Sequence, residues 1–222
     1  MLKPDSQGYD VGMIIYNTLM GWSAGVIVLM FGLTVRRVAR NHATLMRIGT
    51  GAAVALTVNG AALTFLSALM ATTWPLTVNP PINIAFAEPC LVLGLFALVG
   101  GIRALVQPSF EIRDLRALEL GVGAVGLPLL AIALAVFRFD LVGDAPDIEP
   151  ITGQFKGWEN TTFGLVYLTA ALGCFLVAAR RRTAAAWAFL MVGAFFLVFS
   201  SLNYYTHIGL LVNLGTGSEY SW

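Results

Sequence analysis

The sequence predicts an all-α fold, a polytopic membrane bundle of six transmembrane helices, and three observations predict it. The chain of 222 residues is 58% hydrophobic and only 11% charged, against about 25% charged in soluble globular proteins. Apolar runs near the roughly 20 residues that cross about 30 Å of hydrocarbon recur six times between short charged patches. The basic residues sort by connection: Arg36, Arg37, Arg40 and Arg47 flank the first, Arg103, Arg113 and Arg116 the third, and Arg180, Arg181 and Arg182 the fifth. Of the thirteen Lys and Arg residues, only Lys3, Arg138 and Lys156 fall elsewhere. Positive charge marks cytoplasmic loops, so the expectation is a single integral domain over residues 1–222 in the cell inner (plasma) membrane. It is multi-pass, with both the N- and C-termini outside.

The first span, Val11 to Val35, reads as a retained anchor. The preceding "MLKPDSQGYD" has no clustered positive charge, and no small-residue cleavage pattern follows a short apolar core. The second span, Leu45 to Leu76, carries Asn59 near its middle. The third, Asn83 to Val106, begins within the segment "NPPINIAFAEPC", Asn79 to Cys90, and holds Glu88 and Pro89 at its entrance. Pro89 has no N–H for the carbonyl of Ala85, so this helix is expected to be irregular or kinked there, with that oxygen open to a side chain or water. A proline in a first turn is also an ordinary way to begin a helix. The fourth span, Leu115 to Phe137, contains Glu119, expected to reach Arg116, Arg113 or loop water. The fifth and sixth run from Thr161 to Ala179 and from Ala184 to Val212. Residues 138–160 form the longest connection, expected to be an ordered extracytoplasmic loop anchored by Ile148, Ile151, Phe155 and Trp158.

Several chemistries are disfavoured. "GVGAVG", from Gly121 to Gly126, matches the dinucleotide fingerprint letter by letter but lies within an apolar helix, not between a strand and a helix. Ala117 with Gly121, and Gly21 with Gly25 in "GWSAG", instead suit close approach of helix backbones. His42 and His207 lie on opposite sides of the membrane and cannot be an axial haem pair. Cys90 and Cys174 sit at opposite depths, too far apart for a disulfide. No metal cluster, cofactor or nucleic-acid partner is expected.

What remains is a set of polar groups inside the spans, where each needs a partner or a water-filled cavity. Asn17, Glu88, Arg138, Tyr167, Asn203 and His207 converge on the outer leaflet, with Asn59 deeper. They suit either local hydrogen bonding between helices or a shared outward-facing pocket around Glu88.

"TWPL", Thr73 to Leu76, followed by "NIAFAEP", Asn83 to Pro89, and "CLVLGLFALVGG" resembles an uncharacterised prokaryotic membrane family, domain of unknown function 981. The resemblance rests on Trp74, Pro75, Asn83, Phe86, Glu88 and Pro89 and covers about Gly51 to Val106. It implies the six-span architecture and no activity. The leading expectation is a non-catalytic accessory or structural subunit of a larger membrane complex, such as a respiratory assembly, in contact with other membrane subunits and phospholipids. The alternative is a small transporter or proton-linked carrier using Glu88, Asn17, Asn59, Arg138 and His207. A membrane enzyme with His207 and Glu88 as acid and base is the third reading.

Overall fold

The structure is a computed structural model that describes residues 16–40, 45–76, 80–111, 115–142, 150–154 and 157–217. A π-helical turn, Tyr16–Met20, leads into α1, Gly21–Arg40. Then follow β1, Leu45–Arg47; α2, Thr50–Thr73; α3, Pro80–Val106; β2, Ser109–Glu111; and α4, Leu115–Phe139. A 3-10 turn, Thr152–Gln154, precedes α5, Trp158–Ala178, and α6, Arg182–Thr216. Among the described residues there are six α-helices, and all six are long and apolar enough to cross a membrane.

Local chemistry sets the boundaries. Pro75 disfavours the right-handed α conformation for the residue before it, and α2 ends at Thr73, with Trp74 turned left-handed at φ 47°. Trp74 N then donates to Met70 O at 3.2 Å and its indole Nε1 to Ala71 O at 2.9 Å, answering two end carbonyls. α3 begins at Pro80, three residues earlier than the apolar run suggested, because prolines in a first turn forfeit no internal hydrogen bond. It is helical without interruption from Pro80 to Val106, with Pro89 inside it.

The second span starts at Thr50 and not at Leu45. Leu45–Arg47 instead pairs antiparallel with Ser109–Glu111, with Met46 opposite Phe110, and Ile48 N donates to Pro108 O at 2.9 Å. This small ribbon ties the first connection to the third. The third is tied to the fifth by Arg116 Nη1, which donates to Ala178 O at 2.9 Å. The three arginine-bearing connections therefore share one end of the bundle. Of the 138–160 connection, Arg138 and Phe139 still belong to α4, Thr152 and Gly153 are buried, and Pro150 rests on Gly209 of α6. Ile148 and Phe155 lie outside the described residues.

Three helix pairs dominate the packing: α2 with α3, α4 with α5, and the first helix with the last, α1 with α6. α5 joins α6 and α1 touches α2, whereas the consecutive helices α3 and α4 scarcely meet. Glycines make the pairs. A methyl on Gly94 would come within 2.7 Å of Thr64 N on α2, one on Gly193 within 2.6 Å of Leu29 N on α1, and one on Gly123 within 2.6 Å of the Ala178 methyl on α5. Gly25 packs on Leu197 as its spacing suggested, but Gly121 has open space around it and Ala117 is exposed. Gly123 and Gly126, two and five residues on, supply that seam, because the contact face of α4 is rotated away from Gly121.

Substituting Gly94 by valine should therefore drive a branched side chain into backbone and cost about 1–3 kcal/mol, read as a lower unfolding midpoint in mild detergent. Gly121→Val should leave that midpoint within about 0.5 kcal/mol of wild type.

Candidate functional site

The end of the bundle opposite the arginines is organised by side chains that satisfy backbone. Asn83 is fully buried; its Oδ1 accepts from Leu76 N at 3.1 Å, and its Nδ2 donates to Leu76 O at 3.0 Å and Pro80 O at 3.1 Å. One amide thus closes the α2–α3 turn and answers groups that would otherwise be unpaired in an apolar setting. Two residues further along α3, Tyr167 of α5 donates its hydroxyl to Ala85 O at 2.8 Å. Ala85 is four residues before Pro89, so this is the carbonyl that the missing proline N–H leaves unanswered within the helix. Phe86 stacks edge-on against Phe163 at 5.3 Å, and Phe163 does the same with Phe199 at 5.0 Å, so aromatic packing holds Tyr167 in register with α3.

The other polar residues separate. Asn59 donates Nδ2 to Ala55 O of its own helix at 2.9 Å. Arg138 is exposed, its guanidinium 5.8 Å from the Phe139 ring. Asn203 and His207 are buried with Ser200, Thr206 and Asn213 along one inward stripe of α6. Asn17 falls in the opening π turn, and its side chain lies outside the described residues, as do His42 and Arg113. Glu88 is exposed and does not join Asn203 and His207. Among the described residues its carboxylate meets no cation.

The reason is helical register. The inward face of α3 is Asn83, Ala87, Gly94, Ala97, Gly101 and Ala104, turned to α2. Glu88 belongs to the opposite face with Ile84, Val92, Leu95 and Val99, all exposed. Beside it, between α3 and α4, a groove of about 560 Å³ is lined by Pro81, Ile84, Ala85, Ile132, Ala135, Phe139, Asp140 and Leu141.

Glu119, by contrast with Glu88, does find cations, and its side chain is only 7% exposed. Arg182 Nε donates to its Oε1 at 2.9 Å, Arg180 Nε to Oε2 at 3.4 Å, and Arg116 Nη1 stands 3.8 Å from Oε2. Arg116 follows from its spacing on the same helix. Arg180 and Arg182 were not anticipated, although antiparallel pairing implies them. Gly126 meets Phe175 and Gly123 meets Ala178, and continuing that register past the end of α5 carries Glu119 to Arg182. Among the described residues no three His, Cys, Asp or Glu side chains gather in a way that could hold a metal ion.

Tyr167→Phe should orphan Ala85 O and cost about 1 kcal/mol. Pro89→Ala, which restores an N–H for that carbonyl, should largely abolish the cost of Tyr167→Phe. A double-mutant cycle on unfolding free energy in detergent checks this; equal costs in both backgrounds would contradict the pairing. Glu119→Ala should lower stability more than Arg116→Ala, because one leaves three guanidinium groups without their carboxylate and the other removes only the most distant of them.

No curated protein and no solved structure matches the chain. A family match does exist, and it extends well beyond the segment from Gly51 to Val106 that carries the Trp-Pro and Asn-x-x-Phe-x-Glu-Pro signature. Residues 12–209 match the family described as Protein of unknown function (DUF981), and the chain belongs to that family.

Proposed function

We propose that this protein is a non-catalytic membrane subunit that acts by contact, an accessory or structural component of a larger membrane complex, and that it docks through the outward face of α3. Glu88 carries this reading. It lies about 12 Å along α3 from Pro80, at 1.5 Å per residue, on a face that is otherwise apolar. A charged side chain in lipid costs up to about 3 kcal/mol near a helix centre, and intramembrane carboxylates are retained where they have partners. A hydrogen-bond donor or cation on a neighbouring subunit would supply one. The exposed row Ile84, Val92, Leu95, Phe96 and Val99 gives that neighbour an apolar seam.

In the same reading the arginine end faces the cytoplasm of a cell with the protein in its inner membrane, and both termini are outside. Support for this comes from the ten arginines of the first, third and fifth connections and from the ties that bring those connections to one end.

A second reading, a small transporter or proton-linked carrier, is favoured by a separate observation: Asn203, Thr206, His207 and Asn213 form a buried polar stripe along α6. It would place the polar route inside the bundle and leave Glu88 outside it.

Affinity purification of the tagged full chain in mild detergent, with quantitative mass spectrometry, separates the two. Accessory function predicts a stoichiometric membrane partner whose recovery falls about tenfold for Glu88→Leu, with the chain still inserted; the co-purified polypeptides then say whether the complex is respiratory. A partner-free monomer with unchanged behaviour on Glu88→Leu would sink it. Loss of proton flux in reconstituted vesicles on His207→Gln, with Glu88→Leu silent, would establish the carrier instead.

A further inference from the structure

Among the described residues, the arginine end gathers more cations than carboxylates. Three guanidinium groups face one carboxylate at Glu119, an excess of two positive charges among those four side chains. Arg180 commits its Nε to Glu119, and Arg116 commits one terminal nitrogen to Glu119 and Ala178 O. Each guanidinium has five N–H donors. The Arg180 and Arg116 side chains are 60% and 45% exposed, so their remaining donors reach the surface.

The surroundings are those of a membrane surface. Arg36 of α1 lies over the Trp187 ring of α6 at 4.9 Å, and Trp187 is itself half exposed, as aromatic side chains at headgroup level are. Directly beside Glu119 on α4, Leu118 and Leu120 are exposed on the apolar flank. Cations at the helix ends above bare leucines match a phosphate attached to acyl chains better than they match a free anion. Arginine also binds phosphate in two-pronged fashion where lysine offers a point charge.

We propose that Arg116 and Arg180, held in place by Glu119, bind the phosphate group of an anionic phospholipid in the leaflet at the arginine end, one lipid per chain. This does not depend on the accessory-subunit reading. Basic pockets between transmembrane helices are a recurrent way to capture anionic headgroups. Glu119 is the positioning residue: it draws one guanidinium group from its own helix and one from the α5–α6 corner to one point. Arg180 occupies a left-handed corner at φ 58°, where Arg180 N bonds to Val177 O and Arg181 N to Leu176 O. Glycine would be at ease there, so the side chain at that position is held against the preference of its own backbone.

Arg180→Gly is for that reason a clean test, since it removes the guanidinium while relaxing the corner. Native mass spectrometry of the full chain would titrate phosphatidylglycerol against phosphatidylcholine at physiological ionic strength. Wild type is expected to retain one phosphatidylglycerol. Arg180→Gly and Arg116→Gln should each weaken that adduct about tenfold, the effect of one charge-assisted hydrogen bond. Arg37→Gln, the same charge loss on an exposed helix end, should weaken it by less than about twofold, because solvent screens it. Equal weakening by all three, or none by Arg180→Gly, would overturn the site in favour of a diffuse positive surface. Stabilisation by inorganic phosphate alone, with displacement of the lipid, would overturn the lipid assignment in favour of a free anion.

Discussion

Helices in hydrocarbon gain nothing by hiding apolar side chains from one another, because the lipid is as apolar as they are; close contact must hold them together. In this protein that contact is made where glycines let one backbone meet another. Gly25, Gly32 and Gly193 seat α1 on α6, Gly60, Gly94 and Gly101 seat α3 on α2, and Gly123, Gly126 and Gly164 seat α4 and α5 together. Each pair is antiparallel and keeps one register along its length. Once a helix has given its small-residue face to its partner, the opposite face is left over. α3 shows this most plainly, with alanines, glycines and Asn83 against α2 and a bare row of large side chains on the other flank.

The second demand of an apolar surrounding is that every backbone donor and acceptor be answered from within the protein. Where helical pairing fails, side chains step in. Asn83 answers Leu76 on both its N–H and its carbonyl, and Tyr167 answers Ala85. The Tyr167 bond has a wider effect because α3 and α4 scarcely pack on each other. It crosses from α5 to α3, and with the Phe86–Phe163 contact it ties the α2–α3 pair to the rest of the bundle on the side where the groove opens. A proline that removes one hydrogen bond inside α3 thereby creates the acceptor for one between helices.

Glu119 and Glu88, both within the spans, have opposite fates for a geometric reason. Glu119 faces α5 and the α5–α6 corner, where Arg116, Arg180 and Arg182 surround it. Glu88 faces away from α2 and meets no cation among the described residues. The first is consumed by the fold, which makes it a structural and organising group. The second is left available, which is why the proposed contact function rests on it.

The number of helical spans, the shared end of the three arginine-bearing connections and the Ala85 carbonyl without a partner in its own helix were legible in the sequence from local quantities: apolar length, the sign of loop charges, and the N–H that proline lacks. The sequence also carried the family, through Trp74, Pro75, Asn83, Phe86, Glu88 and Pro89. Tertiary structure alone decided which group reaches each polar atom. That Tyr167 meets Ala85, that Arg180 and Arg182 close on Glu119, and that Glu88 and Arg138 stand apart from Asn203 and His207 all follow from how the helices are rotated about their axes. Rotation is set by which glycines touch which neighbours. In α2, α3, α5 and α6 hydropathy is nearly the same all the way round, so those spans carry little record of that choice.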